Sequence, residues 1–385
     1  MGSTLVITND FPPRQGGIET FVHAMTTRVP GGDVVVYTSH EEGGAAYDAT
    51  LPFPVVRDTS GMLLPTGRVT KKAVEIARAH GCDRVWFGAA APLAMMAPAL
   101  RANGVRRIVA TTHGHEIWWA RLPGARRMMR RIGDGVDVVT YLGEYTRSRI
   151  APALGPTAEL SRLVPAVDAD AYRPDPDAGA ALRAELGLEG KRIILCVARL
   201  VPRKGQDKLI EAMPLIRRQV PDAVLLVVGQ GPHEARLRKL ALRHGGEDAV
   251  RFVGGKTHRE TPRYYAAADV FAMPCRTRKG GLEAEGLGIV FLEAAASGLP
   301  VVVGASGGAP DTVVDGTTGR VVDGTDPVVV AAVLTRLLLD AGRAAQMGAA
   351  GREWARESWS WDAQAQHLTR LLDPAHAPVP DARTS

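Results

Sequence analysis

The stretch RIILCVARLVPRKGQDKLIEAMPLIRRQVPDAVLLVVGQG, Arg192–Gly231, carries the fold in miniature. Its two apolar ends, Arg192–Leu200 and Ala223–Gly231, are rich in β-branched residues and run into turn residues. They read as buried parallel strands, and the segment between them reads as the helix that carries the chain back. The same alternation extends outward in both directions. TLVITN (4–9), DVVVYTS (33–39), RVWFGAA (84–90), RRIVATTHG (106–114) and DVVTYLG (137–143) precede it, and VRFVGG (250–255), DVFAMP (269–274) and LPVVVGAS (299–306) follow. Two successive βα arrays predict an α/β protein of two doubly wound Rossmann-like domains. The break falls at residues 163–187, where Pro and Asp cluster, with the linker near Leu163 to Asp177.

Length and composition agree. A chain of 385 residues is too long for one ordinary core and sufficient for two. Hydrophobic residues at 45% and charged ones at 23% exclude disorder. No apolar run is long enough to span a bilayer, and MGSTLVITND lacks the pattern of a signal peptide. Cys82, Cys196 and Cys275 are far apart and form no CxxC pair, so a reducing, cytoplasmic setting is expected. The net charge of +6 and pI near 9.4 are compatible with nucleic acid or an anionic membrane, but an Arg-, Ala- and Gly-rich composition makes the total uninformative. Few aromatics and no RNA-binding module argue against nucleic acid.

Three patterns imitate chemistry without completing it. Asp168 and Asp170 have DxD metal-site spacing, yet the stretch is Pro-punctuated and lies on the domain boundary. Gly229 and Gly231 begin a dinucleotide fingerprint, but Glu234 stands where the third glycine belongs, leaving a tight strand-to-helix turn. His113 and His115 form a His-x-His pair with no third metal ligand apparent, so no metal site is expected.

Four segments at strand ends, where doubly wound sheets bind ligands, are the candidates. In TNDFPPRQGGIETFV, Gly16 and Gly17 precede a helix starting near Ile18, which suits either an ordinary turn or close approach of an anion. In TTHGHE, His113 and His115 are either structural or within reach of a substrate hydroxyl, to which a histidine would donate; Glu116 stands beside them. In ARLVPRKGQD, Arg199 at the strand end and Lys204 five positions on suit two adjacent phosphates. In GLEAEGLGIVFLEAAASGLP, a helix expected from about Leu287 places Glu285 in the loop before it and Glu293 about two turns in. Eight residues at helical rise span roughly 12 Å, the scale of a nucleoside diphosphate sugar from ribose to hexose. Between the carboxylates, the amides of Gly286, Leu287, Gly288 and Ile289 would favour the diphosphate.

Taken together, FPPxxGGI, RLVPRKG, GQGP and Glu-x7-Glu resemble the retaining GT-B glycosyltransferases of the glycogen-synthase-like superfamily, over nearly the whole chain from Leu5 to about Leu372. Within it, THGHE, RRIGDGVDVVTY, RLVPRKGQD, VFAMPCRTR and EGLGIVFLEA look most like actinobacterial GDP-mannose-dependent phosphatidylinositol mannosyltransferases, those acting on the monomannoside. The resemblance implies two Rossmann-like domains facing a cleft. Residues 1–164 would form the acceptor domain and 165–357 the nucleotide-sugar domain, with a helix at about 358–372 packing back on the first and a tail at 373–385. It implies diphosphate contacts from Gly17, Arg199 and Lys204, donor-sugar contacts from Glu285 and ribose contacts from Glu293. His113 would lie near the sugar C6 hydroxyl, and the base would meet backbone around Val253 to Lys256 and Met273 to Cys275. It implies no metal and no cofactor, the nucleotide sugar being a substrate.

Retention by two displacements needs a carboxylate nucleophile, for which Glu116 has only a weak claim. A same-face route, with the leaving phosphate taking the acceptor's proton, needs only the residues already named and is preferred. For the acceptor, Arg126, Arg127, Arg130 and Arg131 share a helical face near Trp118 and Trp119, either as a solvated basic face or as an interfacial helix on anionic lipid. The resemblance favours the second, a peripheral position on the inner face of the plasma membrane. A soluble acceptor and a non-catalytic sugar-nucleotide binder are the competing readings.

Overall fold

The computed structural model describes residues 2–14, 16–29, 33–281 and 283–375. Contacts divide the chain into two compact units, Met1–Pro165 with Trp361–Ser385, and Ala166–Ser360.

The first unit is built on seven parallel strands: β1 (Ser3–Thr8), β2 (Val34–Thr38), β3 (Val55–Arg57), β4 (Cys82–Phe87), β5 (Arg107–Thr111), β6 (Val138–Tyr141) and β7 (Glu159–Arg162), in the order β3-β2-β1-β4-β5-β6-β7. Alternation along each strand feeds two cores. Leu5, Ile7, Val85 and Phe87 face one side, where they meet the Gly67–Ala79 helix through Val69, Ala73 and Ile76. Val6, Trp86, Val109 and Val138 face the other, against Phe21, Val22 and Met25 of the Gly17–Thr26 helix. That second core is closed by the helix Trp361–Leu372, whose Ala365, Leu368, Leu371 and Leu372 are buried in it. Arg107 Nε donates to Leu371 O at 2.8 Å, which fixes the end of this helix on β5.

The second unit has six parallel strands: β8 (Arg192–Val197), β9 (Ala223–Val228), β10 (Val250–Phe252), β11 (Val270–Met273), β12 (Val301–Gly304) and β13 (Gly319–Val322), ordered β10-β9-β8-β11-β12-β13. The opening stretch is its centre: β8 and β9 pair from Arg192↔Ala223 to Val197↔Val228, bridged by the helix Gln206–Arg217.

Three strands went unforeseen, β3, β7 and β13, and all are sheet edges. An edge strand needs no continuous apolar run, and β3 and β7 have no fully buried residue. The linker is also shorter than expected. Asp175 accepts from Ala178 N and Pro176 occupies the first helical turn, so the helix Pro176–Leu186 starts inside the Pro-Asp cluster that suggested a loop.

In each sheet the strand order reverses once, between β1 and β4 and between β8 and β11. Chains leave these neighbours in opposite directions, which opens a crevice at their carboxyl ends. Gly16 and Gly17 follow β1, Arg199 and Lys204 follow β8, and Glu285 and Gly286 follow β11, while His113 and His115 follow β5, Val253 and Lys256 follow β10, and Glu293 lies in the helix after β11.

Candidate functional site

In the first unit, the loop after β1 is anchored by Asn9, whose side chain exchanges two hydrogen bonds with the backbone of Leu63, at 2.6 and 3.0 Å. The Gly17–Thr26 helix follows, with Gly16 as an extended N-cap and no side-chain cap. A Cβ on Gly16 would lie 2.1 Å from the Glu19 carboxylate, whereas one on Gly17 would meet nothing within 4 Å. Gly17 therefore leaves open space above the helix start, and Glu19, paired with Arg14 at 3.4 Å, is an acid beside it that the sequence reading did not count.

Across the β1/β4 reversal stands His113. Its Nε2 lies 2.6 Å from the carbonyl oxygen of Gly88, the residue that follows β4. A carbonyl only accepts, so Nε2 carries the proton. Burial lowers the imidazole's pKa, and the ring is neutral. Nδ1 is then an acceptor. The expectation that His113 donates to a substrate hydroxyl is corrected: it can accept from one. Phe21 packs edge-on against the ring, with centroids 5.6 Å apart. His115 is exposed, with Nε2 3.3 Å from Glu116 Oε1. Glu116 is fully buried, and its Oε2 accepts from His113 N at 3.0 Å and Gly114 N at 2.9 Å. A carboxylate committed to shaping its own loop is a poor nucleophile, which removes its weak claim to that role.

The helix Pro123–Gly135 exposes Arg126, Arg127, Arg130 and Arg131, as expected. Its apolar face is not free, however: Met129 and Ile132 are buried in the core. The helix therefore cannot lie in a lipid interface on that face, and the exposed apolar groups nearby are Trp118 and Leu122. A second basic surface was not foreseen. Arg68, Lys71 and Lys72 border a cavity of about 260 Å³ in which Arg68 makes two hydrogen bonds to buried Asp58. The Arg68 guanidinium holds that carboxyl far below the usual range. Met62 and Leu64 are exposed in the loop before the Gly67–Ala79 helix, which carries these cations.

In the second unit, Lys204 ends a short 3-10 turn, Pro202–Lys204, between β8 and its helix. Its Nζ lies 2.8 Å from Glu285 Oε2, with side chains only 12% and 9% exposed. The contact is an ion pair rather than an aligned hydrogen bond, since that oxygen has no hydrogen-bond partner. Arg203 Nε stands 3.9 Å from the same oxygen and was missed. Arg199 lies two residues beyond the end of β8, exposed and without a side-chain partner among the described residues; its carbonyl accepts from Gln206 Nε2. Glu285 is held by its backbone: its N–H donates to Ser306 Oγ at 3.2 Å and its carbonyl accepts from Gly308 N at 2.9 Å. Gly307, at φ 58°, passes so close that a Cβ would sit 1.9 Å from Glu285 O. This glycine loop after β12 therefore supports the backbone of Glu285, a role the sequence alone does not show.

The helix bearing Glu293 runs Ile289–Ala296, two residues later than expected. Gly288 caps it at φ 91°, in the left-handed region, and its first-turn amides have no side-chain cap. Glu293 is thus little more than one turn in; helical rise covers only the four steps from Ile289 to Glu293, about 6 Å, so the 12 Å estimate, which took all eight steps as helical, does not hold. Gly286 is exposed with open space above it, while Leu287 is buried. Glu293 is also buried, its Oε2 accepting from the Tyr265 hydroxyl at 2.6 Å. At the other side of the sheet, Val253 N donates to Val227 O, and Gly254 O accepts from Gly229 N. The Val253–Lys256 backbone and the GQG turn are therefore one surface, with Lys256 Nζ 5.9 Å from the Tyr264 ring centroid.

Asp168 Oδ1 accepts from the backbone of Asp170 and Ala171 within a turn. A Cβ on Gly229 would lie 2.0 Å from Ala198 O, so this glycine serves the packing of the β8 and β9 loops. Among the described residues, no group of three or more His, Cys, Asp or Glu is arranged to hold a metal ion, and no helix is long and apolar enough to cross a membrane.

Comparison with known proteins adds sequence and fold relatives. Residues 180–354 match the glycosyl transferases group 1 family, and residues 15–171 match glycosyltransferase family 4. The GDP-mannose-dependent α-(1-6)-phosphatidylinositol monomannoside mannosyltransferase of Mycolicibacterium smegmatis is 49% identical, over 96% of this chain and 97% of that protein. The Corynebacterium glutamicum enzyme for the monoacylated monomannoside is 45% identical, over 96% and 97%. Among solved structures, Anabaena HepE in complex with UDP superposes with a TM-score of 0.79 at 18% identity, covering 96% of this chain and 99% of that one. WaaG, a glycosyltransferase of lipopolysaccharide biosynthesis, gives 0.62 at 19%, covering 96% and 99%. These two structures speak for the GT-B fold alone.

Proposed function

This chain belongs to the family of GDP-mannose-dependent α-(1-6)-phosphatidylinositol monomannoside mannosyltransferases, and from that premise we propose that it moves mannose from GDP-mannose to a phosphatidylinositol mannoside-type glycolipid. The observation that carries the reading is the buried Lys204–Glu285 pair at the carboxyl end of β8, beside the reversal of strand order. A cation and a carboxylate fixed together there suit a ligand with an anionic diphosphate joined to a hydroxyl-rich sugar.

The chemistry follows from charge. As the anomeric C–O bond breaks, negative charge grows on the β-phosphate and positive charge on the sugar ring. Lys204, Arg199 and the uncapped helix start at Gly288–Ile289 meet the first, which is where preorganised electrostatics lowers a barrier. Glu285 holds sugar hydroxyls and Glu293 the ribose, and in the first unit neutral His113 is able to accept from a hydroxyl through Nδ1. The acceptor oxygen bonds to the anomeric carbon on the face the phosphate leaves, and its proton passes to the leaving phosphate oxygen, so configuration is retained. With Glu116 committed to its own loop, this route is favoured over a covalent intermediate. The reaction is proposed to need neither metal nor cofactor.

The acceptor is proposed to be met at a membrane surface. Exposed Arg126, Arg127, Arg130 and Arg131 near Trp118 and Leu122, together with Arg68, Lys71 and Lys72 near Met62 and Leu64, pair basic charge with apolar side chains, as anionic lipid favours.

The test is transfer from GDP-, UDP- and ADP-sugars to phosphatidylinositol mannoside in mixed vesicles, with chelator present and the product's anomeric configuration read by NMR. Selective α-mannosyl transfer from GDP-mannose is expected. Preference for a UDP-sugar, or a β-linked product, overturns the reading.

A further inference from the structure

The donor site contains a buried carboxylate held from behind. Glu293 is 7% exposed, and its Oε2 accepts from the hydroxyl of Tyr265, which is itself fully buried. The Tyr265 ring is locked by stacking on Phe271, centroids 5.7 Å apart, and by an edge contact with Tyr172 at 5.5 Å. Oε1 points elsewhere, 3.9 Å from Nδ1 of His258, whose side chain is 73% exposed. One oxygen of this carboxylate is therefore held by a buried hydroxyl, and the other faces a histidine whose ring is largely exposed.

We propose that Tyr265 is the positioning residue of the donor's ribose subsite: its hydroxyl commits Oε2 of Glu293 to the protein and presents Oε1 to the 2′,3′-diol. This rests on the reading of Glu293 as the ribose carboxylate. One carboxylate oxygen has two lone pairs, enough for both hydroxyls of a vicinal diol. A carboxylate free to rotate would offer them in no fixed direction.

The surroundings set how the carboxylate is kept charged. Burial pushes Glu293 upward; the Tyr265 hydroxyl, then His258 and Tyr172, pull it back. Burial also raises Tyr265 far above its ordinary value, so it remains a donor at any working pH. The Tyr172 hydroxyl is shared with His258 Nδ1 and Thr261 Oγ1, each at 2.9 Å, which makes it the weaker support. The other elements packed here add Cys196 of β8, facing Tyr265, and Arg352 of the Ala341–Ser358 helix, which donates to the carbonyls of Tyr172 and Ala296. β12 adds no titratable group. Removing the Tyr265 hydroxyl therefore raises the pH below which Glu293 is protonated and unable to accept both hydroxyls.

The experiment compares GDP with 2′,3′-dideoxy-GDP by calorimetry, for the full chain and Tyr265→Phe, at pH 8.5 and pH 6. The wild type is expected to prefer GDP, and Tyr265→Phe to lose about ten-fold of that preference, as for a hydrogen bond to a charged group. The loss is larger at pH 6, with kcat at saturating donor little changed. A merely structural role would lower the melting temperature without moving the GDP/dideoxy ratio. If the wild type shows no preference, the ribose reading of Glu293 fails and the proposal with it. If it prefers GDP and Tyr265→Phe keeps that preference at both pH values, the positioning role alone is overturned. Should Tyr265→Phe not fold, Tyr172→Phe carries the test: a preference that weakens on acidification supports a hydroxyl-held carboxylate, and an unmoved one overturns it.

Discussion

Lys204→Met isolates the central electrostatic claim. In the native unit Lys204 and Glu285 neutralise each other at 2.8 Å with about a tenth of either side chain exposed. Removing the ammonium leaves a carboxylate out of water with only Arg203, 3.9 Å away, to answer it. Breaking one side of a buried pair costs about 3–5 kcal/mol, and the residual exposure and Arg203 place this case at the lower end, about 3 kcal/mol. For a unit the size of Ala166–Ser360, that is a fall in Tm of about 6–12 °C. The double variant Lys204→Met/Glu285→Gln removes both charges and orphans neither. It is expected to recover all but about 1 kcal/mol of the loss, so the coupling in the double-mutant cycle is about 2 kcal/mol plus whatever Glu285→Gln costs alone. Urea and thermal melts of the four proteins without nucleotide measure this. Turnover separates the two roles of the pair, since the double variant regains stability and remains inactive. A single Lys204→Met variant melting within 1 °C of wild type would refute the reasoning, because it would mean the pair is solvated and worth no more than a surface ion pair.

Three further predictions follow from the same geometry. His113 has a folded pKa below its unfolded value, so it contributes stability above about pH 6.5 that is lost as pH falls toward the folded pKa; melting His113→Gln between pH 5 and 7.5 should show a flatter acid limb than wild type. Gly288→Ala puts a side chain on a left-handed residue with its Cβ 2.6 Å from the Phe291 ring; a loss of at least about 1–2 kcal/mol is expected, with weakened GDP binding by calorimetry. Leu371→Ala, at the end of the helix that closes the first unit's second core, should cost about 2–5 kcal/mol in urea melts without changing GDP affinity.

What could be read from the sequence, and what could not, divides along a physical line. Central strands such as β8 and β9 are buried on both faces, so their apolar runs announce them; β3, β7 and β13 lie at sheet edges and carry too little apolar sequence to be seen. Lys204, Glu285 and Glu293 were legible because parallel topology sends every strand's carboxyl end to one side, and a charge next to a strand end then has a known address. Their partners were not. Ser306 and Gly307 reach Glu285 from the loop after β12, and Tyr265 reaches Glu293 across 28 residues, from a helix whose Tyr-Tyr pair reads simply as core. The tautomer of His113 was likewise hidden, because it is decided by the carbonyl of Gly88, 25 residues away. A sequence states which groups a ligand will meet, while the hydrogen bonds behind them decide what those groups can offer. His113 became an acceptor, and Glu293 a carboxylate with one oxygen committed to a buried hydroxyl, through contacts of that second kind. The specificity of this site is therefore tested better by deleting the supporting hydroxyl of Tyr265 than by deleting the carboxylate it supports.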